Sequence, residues 1–241
     1  LRVLAVSGYH PTVIGKDWNP LIAAEFNGVI SVAKDAPYQD FQQLLDDARA
    51  NPGTIKFSAS SPGTIWHIQS ELMRTQTGID MKFIPYPGSQ AGQTAALTGE
   101  VTVVHTGLGE QAEMIKNGDL RPLVMFSKSP AEMEGVGTIP AITDYLPELE
   151  EFLPLASWIG LAIPAAVPEE AKRIIEDAYL KAVQTEEFKK FVEEERYGVV
   201  LGYDLDKSLE VGLEETSKIS WLLYDLGIVN RNPEEFGIQR P

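Results

Sequence analysis

The stretch "IKFSASSPGTIWHIQSELMRTQT" (residues 55–77) joins a strand pattern to a helix pattern through a run of small and polar residues. Ile65, Ile68 and Leu72 recur at helical spacing, which predicts a helix over residues 65–77. Gly78 follows the pattern, where a left-handed residue commonly ends a helix. The stretch therefore predicts one strand–turn–helix unit, the element from which α/β folds are built.

The same unit repeats along the first two thirds of the chain. Apolar strand patterns at 28–33, 82–86, 101–106 and 121–127 alternate with helix patterns at 38–50, 89–99 and 109–118. A further apolar run at residues 1–6 also reads as a strand. Buried strands joined by helices of about ten residues indicate βαβ units, so we expect an α/β protein with a parallel sheet.

The sequence changes character after residue 130. A stretch rich in Pro, Gly and acidic residues leads to a strand pattern that ends at Pro164, and three helical segments follow. We interpret residues 34–155 as one lobe, and residues 1–33 with 156–241 as the other. Two strands, at 26–33 and 156–163, are expected to carry the chain between the lobes.

The amino-acid composition argues against several classes of partner and chemistry. The 241 residues include 35 acidic and 20 basic side chains, for a formal net charge of −15, which disfavours nucleic acid and anionic membrane surfaces as partners. The chain has no Cys and only three His, far apart in sequence, so we expect neither thiol chemistry nor a metal site. No cofactor-binding motif occurs, and we expect no cofactor.

The turn at residues 58–64 has two interpretations. The first backbone N–H groups of a helix lack intrahelical partners and carry partial positive charge, so small residues there allow a carboxylate or phosphate to bind. Alternatively, Ser61 or Thr64 simply caps the helix. Both interpretations remain open from this stretch alone.

Two further turns bear on this choice. Tyr86-Pro87-Gly88 leads to Ser89 at a helix start, and the strand in "VVHTGLGEQ" (103–111) ends at Thr106. Strand ends of a parallel sheet meet at one edge, which favours the anion site. Tyr86 can equally be a packed aromatic residue. His105 alternates with Val103 and Val104, which favours a structural role over ligand binding.

No catalytic motif stands out. The chain lacks a G-x-S-x-G elbow and a phosphate-binding P-loop. His67 is expected to pack within its helix, and a hydrolase that uses the Ser/Thr turn with His67 as base is the alternative hypothesis. Trp158 is either a ligand contact or a core residue. We expect a binding protein with no catalytic residues.

Four motifs in order resemble the substrate-binding proteins of tripartite tricarboxylate transporters, the TctC-like or Bug receptors. They are Pro52-Gly53-Thr54-Ile55-Lys56-Phe57-Ser58; Gly63-Thr64 with His67-Ile68; Ile84-Pro85-Tyr86-Pro87-Gly88; and Trp158-Ile159-Gly160-Leu161. Each motif is weak alone, but the four in this order are specific.

The resemblance implies a type II periplasmic-binding-protein fold, with two lobes that close over a small organic acid. It implies a monomer outside the cytoplasmic membrane, in the periplasm, that delivers the acid unchanged to membrane permease subunits. A signalling role is not distinguished from transport. The residues carried over as ligand contacts are Ser7, Ser58, Ser60, Ser61, Gly63, Thr64, His67, Tyr86, Gly88, Ser89, Thr106 and Trp158.

The chain departs from the family pattern in two places. Members usually begin with a further segment that contains a Pro-Gly-Gly-type turn and supplies half of the carboxylate site, so we expect the N-terminal part of one lobe to be missing here. Pro87 replaces the commoner Lys of a Y-K-G turn. This second change argues against a simple preference for tricarboxylates.

Overall fold

A computed structural model describes residues 3–241 of the chain. The first half contains β1 (Trp18–Phe26), β2 (Gly28–Ala33), α1 (Phe41–Ala50), β3 (Lys56–Ser58), α2 (Ile65–Thr77), β4 (Lys82–Phe83), α3 (Ser89–Leu97), β5 (Val103–Gly107) and α4 (Leu108–Lys116). The second half contains β6 (Leu120–Phe126), β7 (Ala131–Met133), β8 (Gly137–Ile139), β9 (Ser157–Pro164), α5 (Glu169–Val183), α6 (Glu186–Lys190), β10 (Val199–Val200) and α7 (Leu205–Asp225). Short 3₁₀ helices lie at Ile142–Asp144, Pro147–Phe152 and Pro233–Phe236, and a π-helical turn at Phe191–Glu195 follows α6.

The chain divides into two compact units. Unit 2 is Phe26–Ser157, and unit 1 comprises the chain up to Glu25 together with Trp158–Pro241. The chain thus passes between the units twice, after Glu25 and after Ser157. The first boundary differs from the expected one at residue 33, because β2 pairs along its length inside the sheet of unit 2.

Unit 2 is built on a five-stranded sheet with the order β4-β3-β5-β2-β6. β3 runs parallel to β4 and β5, whereas β2 runs antiparallel to both β5 and β6. The predicted parallel sheet is therefore wrong for β2. A strand buried on both faces is apolar throughout in either direction, so its composition does not reveal its orientation.

The helices of unit 2 bury the faces that their apolar spacing predicts. α1 buries Phe41, Leu44 and Leu45, and its cap residue Asp40 accepts a hydrogen bond from the Gln43 N–H at 2.9 Å. α2 begins and ends as predicted and buries Ile68, Leu72 and Met73. Each fully buried side chain of this size contributes about 1.5–3 kcal/mol, so these faces hold the helices on the sheet.

Unit 1 has a three-stranded sheet with the order β10-β1-β9. Leu21 and Ala23 of β1 pack with Ile163 of β9 and with Tyr179 and Val183 of α5. A second cluster joins Val6, Trp221 of α7 and Ile238 near the C-terminus. Apolar contacts between distant segments therefore hold this unit together.

Two sequence predictions for unit 1 need correction. Residues 3–8 form consecutive turns instead of the predicted strand, and residues 1 and 2 lie outside the described part. The strand β1 was not recognised, because Pro20 interrupts its pattern and proline usually argues against a strand. None of the helices between residues 3 and 241 has the length and apolar character needed to cross a bilayer.

Candidate functional site

Three helix N-termini meet at one edge of the unit 2 sheet. The helices α2, α3 and α4 follow the parallel strands β3, β4 and β5, whose carboxyl ends therefore point the same way. We call the connections the first turn (residues 58–64), the second turn (84–89) and the third turn (106–107). Their convergence is the geometry expected for a binding edge in an open α/β sheet.

Direct hydrogen bonds tie the first turn to the second. The Ser61 hydroxyl donates to the carbonyl oxygen of Tyr86 at 3.2 Å, and the Tyr86 N–H donates to the carbonyl oxygen of Ser60 at 3.3 Å. Ser60 and Gly63 have φ angles of 62° and 78°, in the left-handed region. Such a conformation costs a non-glycine residue like Ser60 about 1–2 kcal/mol, which the surrounding contacts must offset.

The third turn lies close to α2 and is linked to α3 through Glu110. A Cβ atom at Gly107 would lie 3.1 Å from both Trp66 Cζ2 of α2 and Glu110 Oε2 of α4. Glu110 Oε2 accepts a hydrogen bond from the Gly107 N–H at 2.7 Å, and Glu110 Oε1 accepts one from the Ser89 hydroxyl at 3.0 Å. Glu110 thus links the N-termini of α3 and α4.

The start of α2 has no side-chain cap. Thr64 occupies the cap position, but its hydroxyl lies 3.0 Å from the Ala59 carbonyl oxygen and 2.8 Å from the Ser61 carbonyl oxygen, to which it donates. The Ser61 hydroxyl is used by Tyr86. Neither hydroxyl caps the helix, so the start of α2 keeps its partial positive charge without a side-chain oxygen from Ser61 or Thr64.

The His67 ring makes contacts with neighbouring residues of unit 2. Its Nδ1 accepts a hydrogen bond from the Gly63 N–H at 3.2 Å, and its ring lies 4.3 Å from the Phe83 ring. Burial lowers the pKa of His67, against the opposing effect of the nearby Glu71 carboxylate. Among the described residues no serine or threonine hydroxyl bonds to His67, so the pairing that a nucleophile and base require is missing.

Ser58 is the last residue of β3 and begins the first turn. The residue is fully buried, and its hydroxyl has no hydrogen-bond partner among residues 3–241. A Cβ atom at Gly92 of α3 would lie 2.2 Å from Ser58 Oγ, so α3 approaches β3 closely at this point. Ser58 therefore sets the distance between the strand and the helix.

Thr106 and Tyr86 are directed inward. Thr106 is fully buried, and its oxygen accepts hydrogen bonds from Gln93 Nε2 at 3.2 Å and Gln111 Nε2 at 3.1 Å. The Tyr86 ring lies against α3, and burial followed by the Glu100 carboxylate raises the pKa of its phenol. Both side chains contact residues of unit 2, and their role as ligand contacts stays a prediction.

The remaining predicted residues divide between the units. Gly88, with a φ of 108°, and Ser89 start α3 at the binding edge. Ser7 and Trp158 belong to unit 1 and stay predictions. Glu110 was not among the residues predicted from the sequence, although an acidic residue three positions after a helix cap is a recognised capping signal.

Unit 1 contains a cavity that lies outside this edge. A cavity of about 560 Å³ in unit 1 is lined by residues 13–16, 213, 216–217 and 235–239, and contains none of the predicted ligand contacts. Within the described chain, His, Asp and Glu side chains do not gather in groups of three that could hold a metal ion.

Comparison with known proteins gives a consistent family signal. Residues 16–215 match the model of the tripartite tricarboxylate transporter family receptor, TctC. The UPF0065 protein in the tcbD-tcbE intergenic region of Pseudomonas sp. (strain P51) is 27% identical over 173 residues. That match covers 70% of this chain and 49% of the relative, so the chain spans about half the length of this relative.

Solved structures show the same fold. R. palustris Rpa4515 with adipate has a TM-score of 0.70 and 22% identity, covering 86% of this chain and 69% of that one. MatC (Rpa3494) from Rhodopseudomonas palustris with bound malate has a TM-score of 0.72 and 15% identity, covering 86% and 70%. The likeness confirms the predicted α/β fold of periplasmic solute-binding proteins.

Proposed function

This chain belongs to the tripartite tricarboxylate transporter receptor family, and we propose that it captures a small organic acid outside the cytoplasmic membrane for delivery to permease subunits. The observation that carries the proposal is the uncapped start of α2 at an edge where three helix N-termini meet. The three turns contain no Lys or Arg, and the hydroxyls of Ser61, Thr64 and Ser89 donate within the protein. Backbone N–H groups are therefore the main donors proposed for the ligand.

In this proposal the ligand carboxylate sits at the start of α2. The N–H groups after Thr64 donate to its oxygens, and the helix macrodipole adds attraction without a basic side chain. The left-handed Ser60 and Gly63 shape the approach to these groups. Gly88 and Ser89 form the adjoining wall at the start of α3.

The ligand class is supported by two relatives of the same fold. One of the solved structures holds adipate and the other holds malate, and both compounds are carboxylates. A small carboxylate also suits a binding site formed by helix N–H groups, because these groups stabilise a negative charge without an ion pair.

A hydrolase remains the competing function, and it predicts different behaviour. In that case His67→Ala would abolish turnover, and a serine-reactive probe would label the first turn. We expect no labelling, because the His67 Nδ1 accepts from the Gly63 N–H and no turn hydroxyl bonds to the ring. Labelling that disappears in His67→Ala would overturn the receptor proposal.

A thermal-shift screen tests the receptor proposal. The midpoint of thermal unfolding is measured for the purified protein alone and with a high excess of each acid in a panel. The panel contains mono-, di- and tricarboxylates and aromatic acids. A cognate acid at 100 times its Kd contributes about 2.7 kcal/mol, which shifts the midpoint of a protein of this size by about 5–10 °C. A panel that leaves the midpoint unchanged contradicts the proposal.

A pair of matched variants tests the place of binding. Thr64→Asp puts a carboxylate at the cap position, where it accepts from the free N–H groups and competes with the ligand, so we expect binding to weaken by about tenfold or more. Gln76→Glu adds the same charge near the other end of α2 and should leave binding nearly unchanged. Equal losses in both variants would place the acid elsewhere.

A further inference from the structure

Glu110 introduces a negative charge at the proposed acid site. Glu110 is the third residue of α4, and its side chain is exposed at the edge where the three turns meet. It accepts the Gly107 N–H and the Ser89 O–H, one with each oxygen. Two of the donors that the edge offers are thus already bound to a carboxylate of the protein itself.

Glu110 is held in place from several sides. Its backbone is the third residue of α4, and the bond to the Gly107 N–H closes the helix start, an arrangement that stabilises helices. Gly107 also lies against the ring of Trp66, the second residue of α2. The Glu110 carboxylate therefore keeps a defined position near the Trp66 ring of α2, instead of sampling solvent freely.

The chemistry of a carboxylate at this position is selective. An ionised carboxylate only accepts hydrogen bonds, so its remaining lone pairs can bind a hydroxyl or ammonium group of a ligand. A second ligand carboxylate at the same place offers no donor and meets a like charge. Such a juxtaposition weakens binding, and building it against an unwanted ligand is a common source of specificity.

We infer that Glu110 sets the ligand preference of this receptor: an acid with one carboxylate and a hydroxyl or amino group at its far end is favoured over a dicarboxylate of the same length. The inference rests on the proposed function, since it places the first carboxylate at the uncapped start of α2. It names Glu110 as a specificity-determining residue, with no further site required.

The test uses acids matched in length. Kd values are measured by calorimetry for straight-chain dicarboxylates (succinate, glutarate and adipate) and for the ω-hydroxy and ω-amino monocarboxylates of the same lengths. We expect the wild-type protein to bind the hydroxy or amino acid about tenfold or more tightly than the matched dicarboxylate. Glu110→Gln should reduce this ratio to about threefold or less, because the amide removes the like charge.

Controls separate this role from a structural one. Glu110→Gln keeps an oxygen that accepts the Gly107 N–H, so the helix start is preserved. Glu113→Gln removes the same charge from an exposed position of α4 outside the turns, and should retain the wild-type ratio. Raising NaCl from about 0.02 to 0.5 M should reduce the discrimination in the wild type, but not in Glu110→Gln, since salt screens the repulsion.

The outcomes also separate the two proposals. A wild-type protein that binds these acids but prefers the dicarboxylates, or a ratio that Glu110→Gln leaves unchanged, overturns the role of Glu110 and leaves the receptor function standing. A wild-type protein that binds none of these acids, nor any of the broader panel, contradicts the receptor function itself.

Discussion

His105 shows how a titratable residue can serve structure alone. Its ring is buried in β5, stacked 5.4 Å from the Phe126 ring. Ser70 Oγ lies 2.8 Å from His105 Nδ1 and 3.0 Å from the Trp66 carbonyl oxygen, so the ring is hydrogen-bonded inside the protein. Burial lowers the pKa of His105 to about 3, which keeps the ring neutral at pH 7. The structure agrees with the structural role that the sequence favoured.

The lowered pKa of His105 makes the protein sensitive to acid. The unfolded chain binds a proton near the ordinary value of 6.5, whereas the folded chain does not until about 3, so stability falls as the pH decreases between these values. This contribution reaches about 3 kcal/mol between pH 6.5 and 4. We expect the free energy of unfolding of His105→Asn, from urea titrations at pH 7 and 4, to fall less than that of the wild type.

The exposed His10 provides the control for this measurement. His10→Asn should show the wild-type loss of stability between pH 7 and 4, because His10 is solvent-exposed. If His105→Asn and His10→Asn lost equal stability over this range, buried His105 would not be the source of the acid sensitivity.

At the scale of elements, the contact between α3 and β3 shapes the binding edge. Gly92 lies in the helix, and no side chain separates it from Ser58 on the strand. The helix is thereby drawn against the sheet just after Ser89, which donates to Glu110. The positions of the second and third turns therefore depend on one glycine in the helix interior.

Gly92→Ala tests this contact. The added methyl group would lie 2.2 Å from Ser58 Oγ, so one element must move. Overpacking of this kind costs about 1–3 kcal/mol, more than the gain in helix propensity. Chemical denaturation should show the loss, and Ser58→Ala in the same background should restore part of it.

Thr94→Ala is the matched helix variant for this test. Thr94 is exposed on α3, and the substitution makes no new contact with the strand. We expect a change within about 0.5 kcal/mol. A Gly92→Ala protein as stable as Thr94→Ala would show that the helix and strand are not in close contact.

For the whole molecule, the dominant feature is the net charge of −15. Ion pairs such as Lys207–Glu210 and Lys218–Glu214 join exposed side chains one helical turn apart, and pairs of this kind contribute little. Repulsion among the excess carboxylates therefore opposes the compact state. The same field disfavours nucleic acid and anionic surfaces, as the composition predicts.

Salt should stabilise the folded protein. NaCl screens the repulsion, so we expect the midpoint of thermal unfolding at pH 7 to rise from low salt and to approach a plateau by about 0.3 M, where the Debye length is short. The measurement is a series of calorimetric scans. A midpoint that is independent of salt, or that falls steadily, would show that self-repulsion is not a significant part of the stability.

Local patterns in the sequence predicted much of the fold. The spacing of Ile65, Ile68 and Leu72 predicted α2 with its correct ends, and β2 also has its predicted bounds. Such patterns are readable because a helix or a buried strand is specified by neighbours within a few residues. The order of the four motifs predicted the receptor family, which the match over residues 16–215 confirms.

The candidate site was predictable only in part. The sequence placed three helix starts at one edge because parallel strands end on the same side, and hydrogen bonds between the first and second turns support this convergence. It did not predict that Thr106 points inward or that Thr64 leaves α2 uncapped. A hydroxyl has several possible partners, and the folded backbone selects among them.

The sequence by itself determined the α/β class, the places where helices start and the family, because each depends on residues close together in the chain or on motif order. Only the tertiary structure decided that β2 runs antiparallel and that Glu110 contacts Ser89, 21 residues away in the chain. Strand direction and side-chain pairing depend on distant segments, and the same local pattern is compatible with several arrangements of them.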